Sequence, residues 1–195
     1  MPRVNNTKFY NLSLKNYKKT ARGVHWASQQ RQYKRFEVFK DLLERELTIS
    51  TVVDAGCGFG DLFHYLKAEN FLPRRYIGID VHAKMVKISR RDTDQKIIHA
   101  DILQDELPFA DYYLCSGAMN TLHPFETLLF IKRMLEHAHK GVIFNLLEGE
   151  NETGSYNKFR VDAMIKMLDF FDGTIEVYDS YLDGDFTIFM KQKSR

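Results

Sequence analysis

Val52-Val53-Asp54-Ala55-Gly56-Cys57-Gly58-Phe59-Gly60-Asp61-Leu62 reads as a strand that ends in a glycine-rich turn and opens directly into a helix. Glycine at every second position, Gly56, Gly58 and Gly60, permits positive φ and brings main chain close to a ligand. The helix that follows offers unpaired N–H groups at its start, so a polar ligand is expected there. The dinucleotide pattern G-x-G-x-x-G needs its third glycine at position 61, where this chain has Asp61. A nicotinamide cofactor is therefore disfavoured.

Outward from that turn, the next apolar run is Tyr76-Ile77-Gly78-Ile79, ending in Asp80. An acid about 20 residues past such glycines is placed to hold a nucleoside ribose, because one carboxylate accepts two hydroxyl hydrogen bonds. A third run, Lys96-Ile97-Ile98-His99, leads into Ala100-Asp101-Ile102. The pattern D-x-G-x-G-x-G after a strand, with these two segments behind it in this order, resembles the class I S-adenosylmethionine-dependent methyltransferases. The resemblance spans about residues 24 to 192. It implies S-adenosyl-L-methionine as cofactor, with Gly56, Cys57, Gly58 and Gly60 passing main chain along the methionine portion and ribose. It further implies Asp54 ordering the turn or meeting the amino group, Asp80 on the ribose hydroxyls, Asp101 and Ile102 on the adenine, and Val81 and Ser116 completing the cofactor set.

Upstream, Val24-His25-Trp26-Ala27-Ser28-Gln29-Gln30-Arg31-Gln32-Tyr33-Lys34-Arg35-Phe36 resembles the segment before motif I in a bacterial subgroup of small methyltransferases. That likeness implies Trp26, Gln32 and Arg35 as pocket residues, Arg35 reaching the methionine carboxylate. The same residues also admit a plainer reading, in which Trp26 packs and Arg35 is a surface charge. A helix is expected from His25 to Leu47, with Phe36, Phe39, Leu43 and Leu47 on the buried face.

Composition sets the frame. A chain of 195 residues with 44% hydrophobic and 28% charged residues is expected to form one α/β domain, here residues 24–195, behind a basic lead-in of residues 1–23. No apolar stretch nears the roughly 18 residues of a membrane helix and the start lacks a signal-peptide run, so a cytoplasmic protein with no membrane partner is expected. Two cysteines, Cys57 and Cys115, form neither a disulfide framework nor a zinc motif. His137 and His139 diverge on a predicted helix, and no other histidine pair has ligand spacing, so no metal is expected. Net charge is +2, yet residues 1–36 hold nine Lys/Arg and no Asp/Glu. That asymmetry admits RNA as a partner, or an arm that is simply solvated.

Along the remainder, strands alternate with helices, as parallel crossovers require. The run Asp111 to Cys115 is the fourth strand, followed by Ser116-Gly117-Ala118-Met119-Asn120-Thr121-Leu122-His123 at the carboxyl edge, where open α/β folds bind ligands. The N-P-P-Y of base-amine methyltransferases is absent here, and Cys115 lacks the preceding proline of the cytosine-C5 enzymes. Asn120 either orients a substrate or caps the turn. A helix from Pro124 is expected to stop at Gly141, followed by the buried strand 142–147, in which Asn145 is a pocket residue or a satisfied buried amide. The loop 148–157 is a candidate lid, and Asp183-Gly184 marks a terminal hairpin. The resemblance implies a Rossmann-like class I methyltransferase fold, a seven-stranded, mostly parallel sheet of order 3-2-1-4-5-7-6 with the last strand antiparallel and helices on both faces.

The acceptor is expected to be a small molecule, because the chain carries no separate recognition domain. The catalytic residue is left open. An oxygen acceptor would need a general base, with His123 or His25 as the available residues, whereas an amine could lose its proton to water. RNA methylation, and binding of S-adenosylmethionine without turnover, are the alternative readings.

Overall fold

The computed structural model describes residues 29–150 and 156–193. Helix α1 (Gln29–Ile49) buries Phe36, Phe39, Leu43 and Leu47 at the expected spacing, and one turn earlier it buries Gln32 and Arg35 as well. It runs two residues past the expected end, and its regular path breaks at Glu44, where φ is 41° and ψ −122°. Four crossover strands follow: β1 (Thr51–Ala55), β2 (Arg75–Asp80), β3 (Lys96–His99) and β4 (Ala110–Ser116). Between them lie α2 (Asp61–Ala68) and α3 (Ala83–Thr93). A 3₁₀ turn (Ala118–Thr121) and α4 (Pro124–His137) lead to β5 (Ala138–Glu148), then β6 (Lys158–Phe159), α5 (Val161–Met167), β7 (Gly173–Tyr178) and β8 (Asp185–Gln192).

The sheet order is β3-β2-β1-β4-β5-β8-β7, with β6 on β5 off that path. Strands β1 to β5 run parallel, and β8 lies antiparallel between β5 and β7. This is the expected order and the expected reversal with eight strands instead of seven, the extra one being two residues long. Beyond Ser116, where β4 ends opposite Asn145, β6 takes up the vacated edge of β5 at Leu147 and Glu148. A two-residue strand carries no period for a sequence to reveal.

Alternation along each strand divides the core into layers. Val53, Ile77, Tyr113, Val142 and Ile188 meet α4 and α5 through Phe130, Ile131, Met134 and Met164. On the other face Val52, Leu114, Ile143 and Phe189 meet α1 and α2, while Tyr76 and Ile97 meet Phe63 of α2 and Val86 of α3.

Gly141 does not stop α4. The helix ends at His137, and Gly141 lies inside β5 opposite Lys191 of β8. A Cβ there would stand 2.5 Å from the Met190 carbonyl oxygen, so the glycine admits the antiparallel neighbour. Strand β5 thus begins four residues before its expected start.

Candidate cofactor and acceptor site

At the carboxyl ends of β1, β2 and β4 the sheet opens into a cavity of about 390 Å³, roofed by α1. The size suits a small ligand. Its floor is the glycine turn. Gly56, Gly58 and Gly60 have φ of +82°, +53° and +82°, the left-handed region that favours glycine. Gly56, Cys57 and Gly58 line the cavity, and a Cβ on Gly56 would lie 2.2 Å from that of Ala118. Gly60 differs from the expectation: it does not line the cavity but starts α2 against α3, where a Cβ would meet Thr93 Cγ2 at 2.6 Å and Ser89 Oγ at 2.9 Å.

Asp80, Val81, Asp101, Ile102 and Ser116 all line the same cavity. Both Asp80 oxygens accept main-chain hydrogen bonds, from Gly58 N–H at 2.9 Å and His82 N–H at 2.8 Å. Burial raises its pKa, and those two donors pull it back down. The Asp101 carboxylate accepts from Leu103 N–H at 2.9 Å and from Gln104 Nε2 at 3.2 Å. Ser116 Oγ is buried and has no hydrogen-bond partner among the described residues.

Asp54, at the end of β1, also faces the cavity and accepts a 2.5 Å hydrogen bond from the Tyr76 hydroxyl. Burial raises its pKa to about 7, against the pull of that bond and with a small push from Asp80. The Cys57 thiol is pushed well above its ordinary range, mainly by burial, and so is not a thiolate nucleophile. Cys115 is fully buried in the core and reduced.

The far wall comes from elements distant in sequence. Gln32, Arg35 and Arg31 reach in from α1, Asn120 and Thr121 from the 3₁₀ turn, Leu147 from β5, and Tyr156 from the segment after the loop. Gln32 Nε2 donates to Asp61 Oδ2 at 3.1 Å, so the residue that replaced the third glycine ties α1 to the start of α2. Arg35 forms a buried ion pair with Asp185 of β8, and Arg31 Nη2 lies 3.3 Å from the other oxygen of the same carboxylate. Desolvation lowers the Arg35 pKa and raises that of Asp185. Arg35 is thus neither a surface charge nor held for the methionine carboxylate alone.

Asn145 is fully buried beside Ser116 and Thr187 in register and is not among the lining residues, yet its Oδ1 and Nδ2 have no hydrogen-bond partner among the described residues, so it is a buried amide but not a satisfied one. Trp26 and His25 lie outside the described residues. His123 does not line the cavity; its N–H donates to Glu126 at 3.0 Å at the start of α4. Among the described residues no group of three or more His, Cys, Asp or Glu side chains is placed to hold a metal ion. Of the residues missed in the sequence, Arg31 had a signal, since it stands one helical turn from Arg35 on the same face. Asp185 had none, being joined to α1 only through space.

A glycine turn at the carboxyl edge of a mostly parallel sheet, with a reversed strand inserted beside β5, defines the class I methyltransferase architecture. The family described as "Methyltransferase domain" matches residues 52–141, from β1 into β5. Residues 52–141 thus resemble a methyltransferase domain, and the chain has the fold of the S-adenosylmethionine-dependent methyltransferases. Solved structures of similar fold include the N-methyltransferase NodS from Bradyrhizobium japonicum WM9 in complex with S-adenosyl-L-homocysteine. It shows 14% identity over 97% of this chain and 100% of that one, with a TM-score of 0.73. Magnesium protoporphyrin IX methyltransferase (ChlM) from Synechocystis PCC 6803 with bound SAM shows 16% identity over 91% and 85% of the two chains, TM-score 0.69. The pyocyanin biosynthetic protein PhzM shows 17% identity over 94% of this chain and 61% of that one, TM-score 0.70. No curated protein matches. Among the described residues, no helix is long and apolar enough to cross a membrane.

Proposed function

We propose that the protein is an S-adenosylmethionine-dependent methyltransferase that acts on a small molecule bound in the same cavity as the cofactor. One observation carries the reading. The cavity of about 390 Å³ is lined both by the glycine turn and by Arg31, Asn120, Leu147 and Tyr156 from other elements. The donor set fits the cofactor: Gly56 and Gly58 bring main chain to the methionine portion and ribose, and Asp80 takes the ribose hydroxyls. Asp101 and Ile102 hold the adenine, Val81 covers the ribose edge, and the orphaned Ser116 Oγ accepts from the α-ammonium with Asp54 behind it. The cofactor supplies a methyl group already activated by its sulfonium. The protein then aligns the acceptor in line with the S–CH3 bond and excludes water from the path, with α1 as the roof.

The similar folds of magnesium protoporphyrin IX methyltransferase and of the pyocyanin biosynthetic protein PhzM are in keeping with a small acceptor. RNA draws support only from the basic run of residues 1–36. Within it Arg35 and Arg31 are engaged with Asp185, and Lys34 with Glu37 at 2.7 Å.

Calorimetric titration with S-adenosylmethionine and S-adenosylhomocysteine tests the cofactor assignments, with NAD as the control ligand. Asp80→Ala is expected to weaken binding more than ~10-fold, ~1.4 kcal/mol. Transfer of a labelled methyl group into a metabolite pool, and not into RNA, is the outcome expected of the acceptor assignment. Labelled RNA lost on deleting residues 1–22, or cofactor binding with no transfer to either pool, would overturn it.

A further inference from the structure

Asp54 is a buried acid to which the described residues bring no cation. It is 3% exposed and lines the cavity. Its Oδ2 accepts from the Tyr76 hydroxyl at 2.5 Å. Its Oδ1 has no protein donor among the described residues, yet it is not one of the fully enclosed polar atoms, so it opens on the cavity that Asp54 lines. The groups that face Asp54 add only neutral or negative ones. From β2 come Tyr76 and Asp80, from the start of α2 Asp61, from the glycine turn the Cys57 thiol, and from β4 the Cys115 thiol. On α1, Gln32 is a neutral amide bonded to Asp61, while Arg31 and Arg35, the two cations lining the cavity among the described residues, both pair with Asp185. The 3₁₀ turn adds Ala118, Asn120 and Thr121, all uncharged.

An enclosed carboxyl group among like charges and without a counter-ion keeps its proton, because desolvation and repulsion both disfavour the anion. These causes outweigh the Tyr76 bond and raise the Asp54 pKa to about 7. A cation brought into the cavity reverses the balance.

We infer that the cofactor is taken up by proton exchange: its α-ammonium, set before Asp54, displaces the carboxyl proton to solvent and is then held as an ammonium–carboxylate pair. This deepens the cofactor reading above and rests on it. One proton moves. The O–H bond of the Asp54 carboxyl breaks, its electron pair stays on oxygen, the proton goes to the buffer, and the ammonium keeps all three of its own. Binding therefore strengthens as pH rises through the range in which Asp54 gives up its proton, and weakens as pH falls. With a pKa of about 7 in the free protein, binding should release ~0.9 proton at pH 6 and ~0.1 at pH 8, and the Kd should tighten ~10-fold between them.

The test is calorimetry on the full chain with S-adenosylhomocysteine at pH 6 and pH 8, each in buffers of small and of large ionisation enthalpy, which counts the protons released. The comparison ligand is 5′-methylthioadenosine, the same nucleoside thioether without the amino-acid end. It fills the adenine and ribose positions and brings Asp54 no cation, so it should release no proton at either pH, with its Kd changed less than ~2-fold between them. Asp54→Asn keeps the shape and removes the titrating group. It should bind S-adenosylhomocysteine with no proton release at pH 6 and a flat Kd from pH 6 to pH 8, a change of pH profile that a merely structural role would not produce. Should Asp54→Asn fail to fold, the two-ligand comparison on the unmodified protein carries the test. Binding of S-adenosylhomocysteine at pH 6 without proton release, equal release with 5′-methylthioadenosine, or undiminished release in Asp54→Asn would each overturn the inference and leave the cofactor reading standing. Absence of binding by both S-adenosylmethionine and S-adenosylhomocysteine overturns the functional reading itself and this inference with it.

Discussion

The two ends of the cavity are built in opposite ways. The cofactor end is short in sequence and made largely of main chain: a glycine turn after β1, an acid at the tip of β2, another just past β3. The far end is assembled from α1, the 3₁₀ turn, the end of β5 and Tyr156, and is braced from behind by Asp185 of β8, 150 residues from Arg35. The first arrangement follows from the parallel sheet itself, whose strand ends gather at one edge. The second depends on side chains meeting through space, so this end can vary without disturbing the sheet.

That contrast can be tested by cutting the brace. Asp185→Ala leaves the nearly fully buried Arg35 guanidinium without its carboxylate and is expected to cost about 3 kcal/mol in denaturant unfolding, with weaker cofactor binding as α1 loosens. Replacing both partners by apolar residues, Arg35→Met with Asp185→Leu, should cost less than Asp185→Ala alone, because desolvation already burdens both groups.

At the cofactor end the corresponding burden is Asp54. Its folded-state pKa of about 7 lies above the ordinary carboxyl value, so between about pH 4 and pH 7 the folded protein holds a proton that the unfolded chain has released. Stability should therefore fall as pH rises through that window, by up to about 1.4 kcal/mol per pH unit. Asp54→Asn should flatten the slope and be more stable than the parent at pH 8, while binding S-adenosylmethionine less tightly. Urea unfolding at pH 5 and pH 8 with parallel titrations would check both, and an unchanged slope in Asp54→Asn would rule the assignment out.

A smaller effect separates two glycines of one motif. Gly56→Ala places a Cβ against Ala118 on the cavity floor at positive φ and should cost about 2 kcal/mol and most of the cofactor affinity. Gly60→Ala presses on the side-chain ends of Thr93 and Ser89, away from the cavity, and should cost about 1 kcal/mol with cofactor affinity nearly unchanged. Thermal unfolding and calorimetry on the pair distinguish a glycine kept for the ligand from one kept for packing.

Much of the fold was legible because period and punctuation are local. The apolar runs that became β1 to β4, the buried stripe of α1 and the turn signal at Asp183-Gly184 could be placed without knowing their neighbours. Where the reading missed, the deciding partner was remote. Gly141 looks like a helix stop until β8 is laid beside it, and β6 exists only because β4 ends and frees the edge of β5.

The sequence by itself determined the strands β1 to β4, the glycine turn and the acids that follow it, because a strand–turn–helix unit writes its needs into adjacent residues, whereas the sheet order was implied only by the resemblance to a known family. The tertiary structure decided that Arg35 and Arg31 share Asp185, that Asp61 receives Gln32, that Asn145 stays out of the cavity while Asn120 lines it, and that Gly60 serves packing. The physical reason is range: main-chain conformation and apolar period act over a few residues, whereas ion pairs, steric fits and orphaned hydrogen-bond acceptors are fixed only when distant segments come into contact.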